Sequence, residues 1–348
     1  MSGDDFLDPP SAVVEAGRFV FGRFRDAPDR INMLDVERPY HYPVPRFVKD
    51  LRLKEWRALH FGNERFFGMA ALYDAKFFSL ALITGWDKVA RRRFGVRRIL
   101  PGSAFRFGTT LERSRIECRS RRTRIALDLD RSSAKARIRA RSTAHGAVPF
   151  DLFLEYGMAP RSVGPQAVCL PLGLNRAIFS LKVLSPIQGF LAIGDERFAI
   201  GGPEAMGMLD EHRGFYPWRM HYDWVSGFGL DQKGRRVGFN LTDNQVRDQE
   251  RYNENCLWIN SRVFALPPVR VTRPHGIMGL WIVQDYEGLV DLEFKPEVPN
   301  TFRRDLLLGR ADYRGPFGSF KGVIKSRDGE KVELESLYGM GERKDLRI

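Results

Sequence analysis

His221 and Asp223 stand two residues apart inside Pro217–Asn255, which reads PWRMHYDWVSGFGLDQKGRRVGFNLTDNQVRDQERYNEN. An imidazole titrates near neutrality and can give or take a proton. A carboxylate on the same strand face can orient it and favour its charged form. His221 and Asp223 are therefore the candidate catalytic pair. Arg219 is placed to meet an anion, and Asn240, Thr242, Asp243 and Asn244 to hold oxygen-bearing groups. Tyr222 and Trp224 would wall a pocket. A second candidate group, Asn175 and Arg176, ends the segment Pro171-Leu172-Gly173-Leu174-Asn175-Arg176 just before a strand. A structural turn explains that segment equally well.

The elements that must position these residues follow from the pattern. From Trp218 to Phe228 aromatic and polar residues alternate, which is the period of a strand. Arg236–Leu241 alternates likewise after the turn Asp231-Gln232-Lys233-Gly234. A four-residue loop sets Trp224 opposite Leu241, Asp223 opposite Thr242 and His221 opposite Asn244. That register gathers Arg219, His221, Asp223, Asn240, Thr242 and Asn244 on one face; an odd loop breaks it. A solvated polar face behind an aromatic core accounts for the same alternation without any ligand. His212 and His275 read as surface loop residues.

The 348 residues carry a formal charge of +13. From Lys88 to Arg141 there are 18 Lys/Arg against 4 Asp/Glu, while the rest of the chain holds 38 against 39. Arg113–Arg119, Thr123–Asp130 and Ala134–Arg141 alternate with period two, so this excess falls on strands. A cationic outer sheet face is the plain reading. An anionic membrane surface meeting residues 113–141 is the sharper one. Nucleic acid is disfavoured, because no aromatics interleave with the arginines.

Frequent Phe, Gly and Pro favour a β-rich chain. Strands are expected around Glu55–Phe61, Phe66–Tyr73, Lys76–Thr84, Phe150–Tyr156, Ala177–Val183, Leu257–Ala265, Phe317–Lys325 and Lys331–Tyr338, among others. Short helices are expected only near Pro203–Leu209 and Asp243–Arg251. A break in charge and turn spacing places a boundary at 160/161. It separates an N-terminal β-rich domain, residues 1–160, from a domain carrying the candidate site, residues 161–348. The acidic opening MSGDDFLDPPS and three sparse cysteines predict a cytoplasmic protein, free or at a membrane surface.

No P-loop, dinucleotide-binding glycine motif, serine-hydrolase elbow or zinc-ligand spacing is present, so no cofactor and no metal is expected. The blocks Cys169–Arg176, Tyr216–Trp224, Gly238–Gln245, Tyr252–Asn255, Phe317–Gly322 and Tyr338–Glu342 resemble an uncharacterised bacterial family, domain of unknown function 2804. Its pattern is distantly similar to tandem lipocalin-like (calycin) proteins, which include carotenoid hydratases and fungal cyclases. The resemblance implies two antiparallel β-barrel domains in tandem, with few helices and ligand space in a barrel or between barrels. The expected ligand is then an apolar or amphipathic small molecule. The expected activity is a hydratase, isomerase or cyclase using His221 and Asp223, the alternative being a non-catalytic carrier.

Overall fold

The computed structural model describes residues 6–159, 164–306 and 309–347. The chain opens with three short strands, β1 (Val14–Glu15), β2 (Arg18–Phe19) and β3 (Gly22–Phe24). After Pro45, whose ring cannot sit inside a helix but suits its start, comes the helix α1 (Arg46–Arg52). Six strands follow: β4 (Lys54–Gly62), β5 (Phe66–Asp74), β6 (Phe78–Asp87), β7 (Arg92–Pro101), β8 (Arg113–Arg119) and β9 (Thr123–Asp130). Next come β10 (Lys135–Ser142), β11 (Phe150–Gly157), β12 (Pro165–Gly173), β13 (Arg176–Ile193), β14 (Glu196–Ile200) and β15 (Met206–Gly214). The second half contains β16 (Arg219–Leu230), β17 (Arg236–Asn244), β18 (Cys256–Ile259), β19 (Arg262–Ala265), β20 (Arg270–Thr272) and β21 (Trp281–Gln284). It closes with β22 (Val290–Val298), β23 (Thr301–Leu306), β24 (Gly309–Arg314), β25 (Phe317–Lys325) and β26 (Lys331–Arg347).

These strands build two curled antiparallel sheets in tandem, as two lipocalin-like barrel domains. The first runs β7-β6-β5-β4-β15-β13-β11-β10-β9-β8, with β12 and β14 also on β13 and β3 on β12. The second runs β19-β18-β17-β16-β26-β25-β22-β21-β20, with β24 on β26 and β23 on β24. The 18-residue β13 lets the first sheet curl. Its first half pairs with β12 and β15, and beyond Pro186 it pairs with β11 and β14. Gly189 sits just past that change with φ +151, and a Cβ there would lie 2.0 Å from the Phe153 carbonyl oxygen. Only glycine fits.

Each sheet wraps its own core. Leu59, Leu72, Ile125, Leu154 and Leu181 fill the first; Val225, Leu241, Trp281, Phe294 and Phe320 fill the second. A third cluster lies between the sheets and joins Met69 and Met208 of one to Trp224, Phe228 and Met340 of the other. Strands such as β4 and β15 are therefore covered on both faces. Alternation puts Trp56, Ala58 and His60 of β4 beside His212, Asp210 and Met208 of β15 on the face between the sheets. Arg57 and Glu211 point the other way, into the first curl, and pair there at 2.6 Å with no exposure.

The double burial explains where the sequence-based expectations fail. Pro203–Leu209 is not a helix but a turn followed by the first residues of β15, and Asp243–Arg251 is the end of β17 followed by turns. His212 is not a loop residue but a buried position on β15. Leu257–Ala265 is two strands, β18 and β19, folded back at Asn260. The boundary at 160/161 lies outside the described residues; β11 and β12 on either side of it belong to the same sheet, and the chain passes to the second sheet between Gly214 and Arg219.

The β16–β17 register also differs from the expected one. Leu230 pairs with Arg236, Trp224 with Thr242, Asp223 with Asp243 and Tyr222 with Asn244. The loop is five residues, Asp231–Arg235, because the Asp231 carboxylate accepts the backbone N–H groups of Lys233 and Arg235 at 3.0 and 2.8 Å. An odd loop shifts the pairing by one residue and exchanges the faces of one strand relative to the other.

Candidate functional site

The register separates the expected site into two groups. Tyr222, Trp224, Asn240, Thr242 and Asn244 share the face turned toward the other sheet. His221 and Asp223 lie on the opposite face. The His221 side chain is 49% exposed and Nε2 lies 3.3 Å from Asp223 Oδ2. Asp223 is mainly the partner of Arg273, with contacts of 2.5 and 3.2 Å, and Arg273 stacks over Trp281. Arg219 is exposed. Asp243 pairs with Arg270 at 2.9 Å, and Asn244 accepts the Val246 N–H. Asn175 donates to the backbone carbonyls of Gly17 and Glu37, and Arg176 lies over Tyr40. These last two tie loops together.

A cavity of about 140 Å³ opens between the two sheets. Its walls are mostly apolar: Trp56, Met69, Tyr73, Leu80 and Leu82 from β4, β5 and β6, and Met220, Phe302 and Leu346 from the second half. Two carboxylates reach it, Asp210 from the first sheet and Glu342 from the second. Glu342 accepts a hydrogen bond from the Tyr313 hydroxyl at 2.6 Å and pairs with Lys344 at 2.6 Å. The Lys344 ammonium also faces the rings of Trp56 and Tyr222. Pairing in β26 explains this grouping: Lys344 is opposite Tyr222 on one side and Tyr313 on the other, and Glu342 is opposite Trp224.

Asp210 is the visible tip of a buried polar network. Lys182 Nζ lies 2.5 Å from Asp210 Oδ1 and 3.0 Å from His212 Nε2. Ser180 donates to Glu254 at 3.0 Å, and the Tyr222 hydroxyl donates to the other Glu254 oxygen. The Asn240 amide links this layer to the next, accepting from Trp224 Nε1 at 2.6 Å and donating to the Glu254 carbonyl at 2.7 Å. Burial opposes the charge on Asp210, but Lys182 and His212 beside it outweigh that and hold its carboxyl well below the usual carboxylate range. Burial likewise opposes ionisation of Glu254, yet Lys182 and His212 keep it lowered. The network therefore holds fixed charge rather than mobile protons.

His60 differs. Burial pushes its pKa down to about 4, so the ring is neutral at pH 7. It lines the cavity, and among the described residues its buried Nδ1 has no hydrogen-bond partner. Native proteins rarely leave such an atom unsatisfied. A polar group on a cavity occupant would satisfy it.

Composition gave no warning of His60, Asp210, Glu342 or Lys344. In β15 the run Met206–Gly214 mixes apolar and charged residues on both faces, so no period stands out. Glu254 belongs to the polar run Asn253-Glu254-Asn255 that the sequence does mark.

The basic strands are laced with carboxylates. Arg115 pairs with Glu117 and Asp128, Arg139 with Asp128, Arg124 with Glu117, and Lys135 and Arg137 with Glu155. Among the described residues no three His, Cys, Asp or Glu side chains converge as metal ligands, and no helix is long and apolar enough to cross a membrane.

No curated protein matches the chain in sequence. Among solved structures it is similar to CghA with Sch210972, at TM-score 0.52 and 12% identity over 85% of this chain and 88% of that one. CghA alone gives TM-score 0.51 at 12% identity with the same coverage. Kievitone hydratase from Nectria haematococca gives 0.46 at 11% identity over 84% and 88%. The likeness to CghA shows a common fold. At the level of sequence the family model for a domain of unknown function, DUF2804, matches residues 9–348, and the chain belongs to that family.

Proposed function

We propose that the cavity between the sheets binds an apolar or amphipathic small molecule and that Asp210 and Glu342 assist a proton-transfer reaction on it, a hydration, isomerisation or cyclisation. One observation carries this reading: two lysine-paired carboxylates, one from each sheet, enter a mostly apolar and aromatic cavity. Protonation of a carbon–carbon double bond leaves a cation on carbon. A fixed carboxylate in a water-poor site stabilises that charge as it develops, and the faces of Trp56 and Tyr73 add to it. In a hydration a proton from a solvent hydronium ion adds to one carbon, water oxygen bonds to the other and the proton that this water loses returns to solvent, so the carboxylates act through their charge. In an isomerisation or cyclisation the added and the lost proton are exchanged with solvent in the same way. Neutral His60, with Nδ1 free, is placed to hold a hydroxyl or the attacking water.

A carrier is the second reading. It is favoured by the fact that both carboxylates already have partners, Asp210 with Lys182 and His212 and Glu342 with Tyr313 and Lys344. Mass spectrometry of the small molecules extracted from freshly purified protein, before and after incubation, separates the two. Conversion that Asp210→Asn and Glu342→Gln abolish, in folded protein, supports catalysis. Recovery of the ligand unchanged supports the carrier, and an empty cavity in native mass spectra refutes both.

A further inference from the structure

The apolar cavity has a cationic rim. Arg97 of β7 lines it together with Asn300 and Phe302. Arg97 and Phe302 also line an adjoining concavity shared with Ile99, Thr301, Arg303 and Arg304. Two guanidinium groups face one ring here, Arg97 at 5.1 Å and Arg304 at 5.5 Å from the Phe302 centroid.

Arg97 lacks the carboxylate partner that Arg303 and Arg314 nearby have. Arg303 pairs with Asp305 at 3.2 Å and Arg314 with Asp312 at 2.6 Å. Among the described residues Arg97 donates to two neutral oxygens, the Thr301 carbonyl and Asn300 Oδ1, both at 3.4 Å. Among the described residues no carboxylate pairs with it. Arg304, whose Nη1 donates to the Arg303 carbonyl, brings a second positive charge rather than a negative one. Burial weakens the hold of Arg97 on its proton; Tyr313 opposes this and the Arg304 charge adds to it. The Arg97 side chain is open to solvent, so an arriving oxyanion can reach its guanidinium and form charge-assisted hydrogen bonds with it.

We infer that the cavity ligand is an amphipathic molecule bearing one oxyanion group, a carboxylate or a phosphate, and that Arg97 at the rim recognises this group while the apolar part lies between Trp56, Tyr73, Leu80 and Leu82. The inference rests on the cavity being a ligand site. It adds which end of the ligand enters first and which residue selects it.

Two dyes with the same rings test it: anilinonaphthalene sulfonate, which is anionic, and phenylnaphthylamine, the same skeleton without the sulfonate. Fluorescence titration of the intact protein gives a Kd for each. The expected result is that Arg97→Met weakens the sulfonate dye about tenfold, the size of one charge-assisted contact, and leaves the neutral dye within about twofold, as apolar burial requires. Arg97→Lys keeps part of the preference. Ala71→Trp, which fills the cavity wall, weakens both dyes. Equal shifts of both dyes in Arg97→Met, or no shift of either, overturn the inference while the cavity reading stands. Dye binding that Ala71→Trp leaves untouched overturns both. Displacement of the sulfonate dye by octanoate, octyl phosphate and octanol then ranks the head groups. Octanol competing as well as the two anions counts against the inference, and an advantage for either anion supports it and tells carboxylate from phosphate.

Discussion

Lys182 and Asp210 are direct cross-strand partners on β13 and β15, and their charged atoms lie 2.5 Å apart beneath the cavity. Neither can hold its charge alone in this position. Burial works against both, and each is kept ionised by the other, with Glu254 and His212 close by. Asp210→Asn keeps the shape and removes the charge, so a buried ammonium is left with Glu254 Oε2 at 3.5 Å. The expected loss is about 3 kcal/mol, at the lower end for a broken buried pair, read from urea unfolding. A loss below about 1 kcal/mol would mean that the lysine reaches water or shifts fully to Glu254.

Stability should also fall in mild acid because of His60. Its pKa is near 4 in the folded chain, where burial disfavours the charge, and about 6.5 when unfolded. Between these values the unfolded chain takes up a proton that the folded chain refuses. Acid therefore favours unfolding: stability is fully present above about pH 6.5, declines as pH falls and levels off, for this group, below about pH 4. The span corresponds to roughly 3 kcal/mol. Asp210 works in the same direction at lower pH, since its depressed pKa stabilises the fold above the unfolded value near 3.9 and this is lost as acid protonates it. Urea midpoints across this range should show the His60 step in the parent protein and lose it in His60→Gln.

His221 and Asp223, neighbours in sequence, should behave very differently. His221 is half exposed, so His221→Ala is expected to change stability by less than about 0.5 kcal/mol and to leave dye affinity unchanged. Asp223 is buried against Arg273. Asp223→Ala strands that guanidinium over Trp281 and is expected to cost about 3 kcal/mol. Thermal and urea denaturation of the two variants give the comparison. Dye binding lost in His221→Ala would return the site to the face of β16 that points away from the cavity.

What the sequence reveals depends on how many faces of a strand are wet. β9 runs over Thr123–Asp130 as expected, because Ile125, Leu127 and Leu129 face a core while Arg124 and Asp128 face water. β13 and β15 have a core on both sides, so His212, Asp210 and Lys182 break no visible alternation and look like solvated charges. The aromatic face of β16 was legible in Tyr222 and Trp224, and the polar run ending at Asn255 marked Glu254. The partnership between the β16 and β17 faces was not, since it turned on one extra residue in the Asp231–Arg235 loop. His60, Glu342 and Lys344 become a group only when the two sheets close, a contact far apart in sequence that periodicity does not report.

The cavity itself can be tested by filling it. Ala58 sits on β4 opposite Asp210 and lines the cavity wall. In a close-packed core, Ala→Phe forces neighbours out of their rotamers and costs about 1–3 kcal/mol. Here the phenyl ring has open space to enter, and it buries more apolar surface on the way. Ala58→Phe is therefore expected to change stability by less than about 1 kcal/mol, in either direction, while weakening binding of phenylnaphthylamine at least about tenfold. Urea midpoints and dye titrations on the same preparation read both quantities. Strong destabilisation would show that the space closes up in solution. Unchanged dye affinity in a stable variant would place the apolar ligand elsewhere. Only the combination of retained stability and lost binding is what a preformed ligand cavity between Asp210 and Glu342 requires.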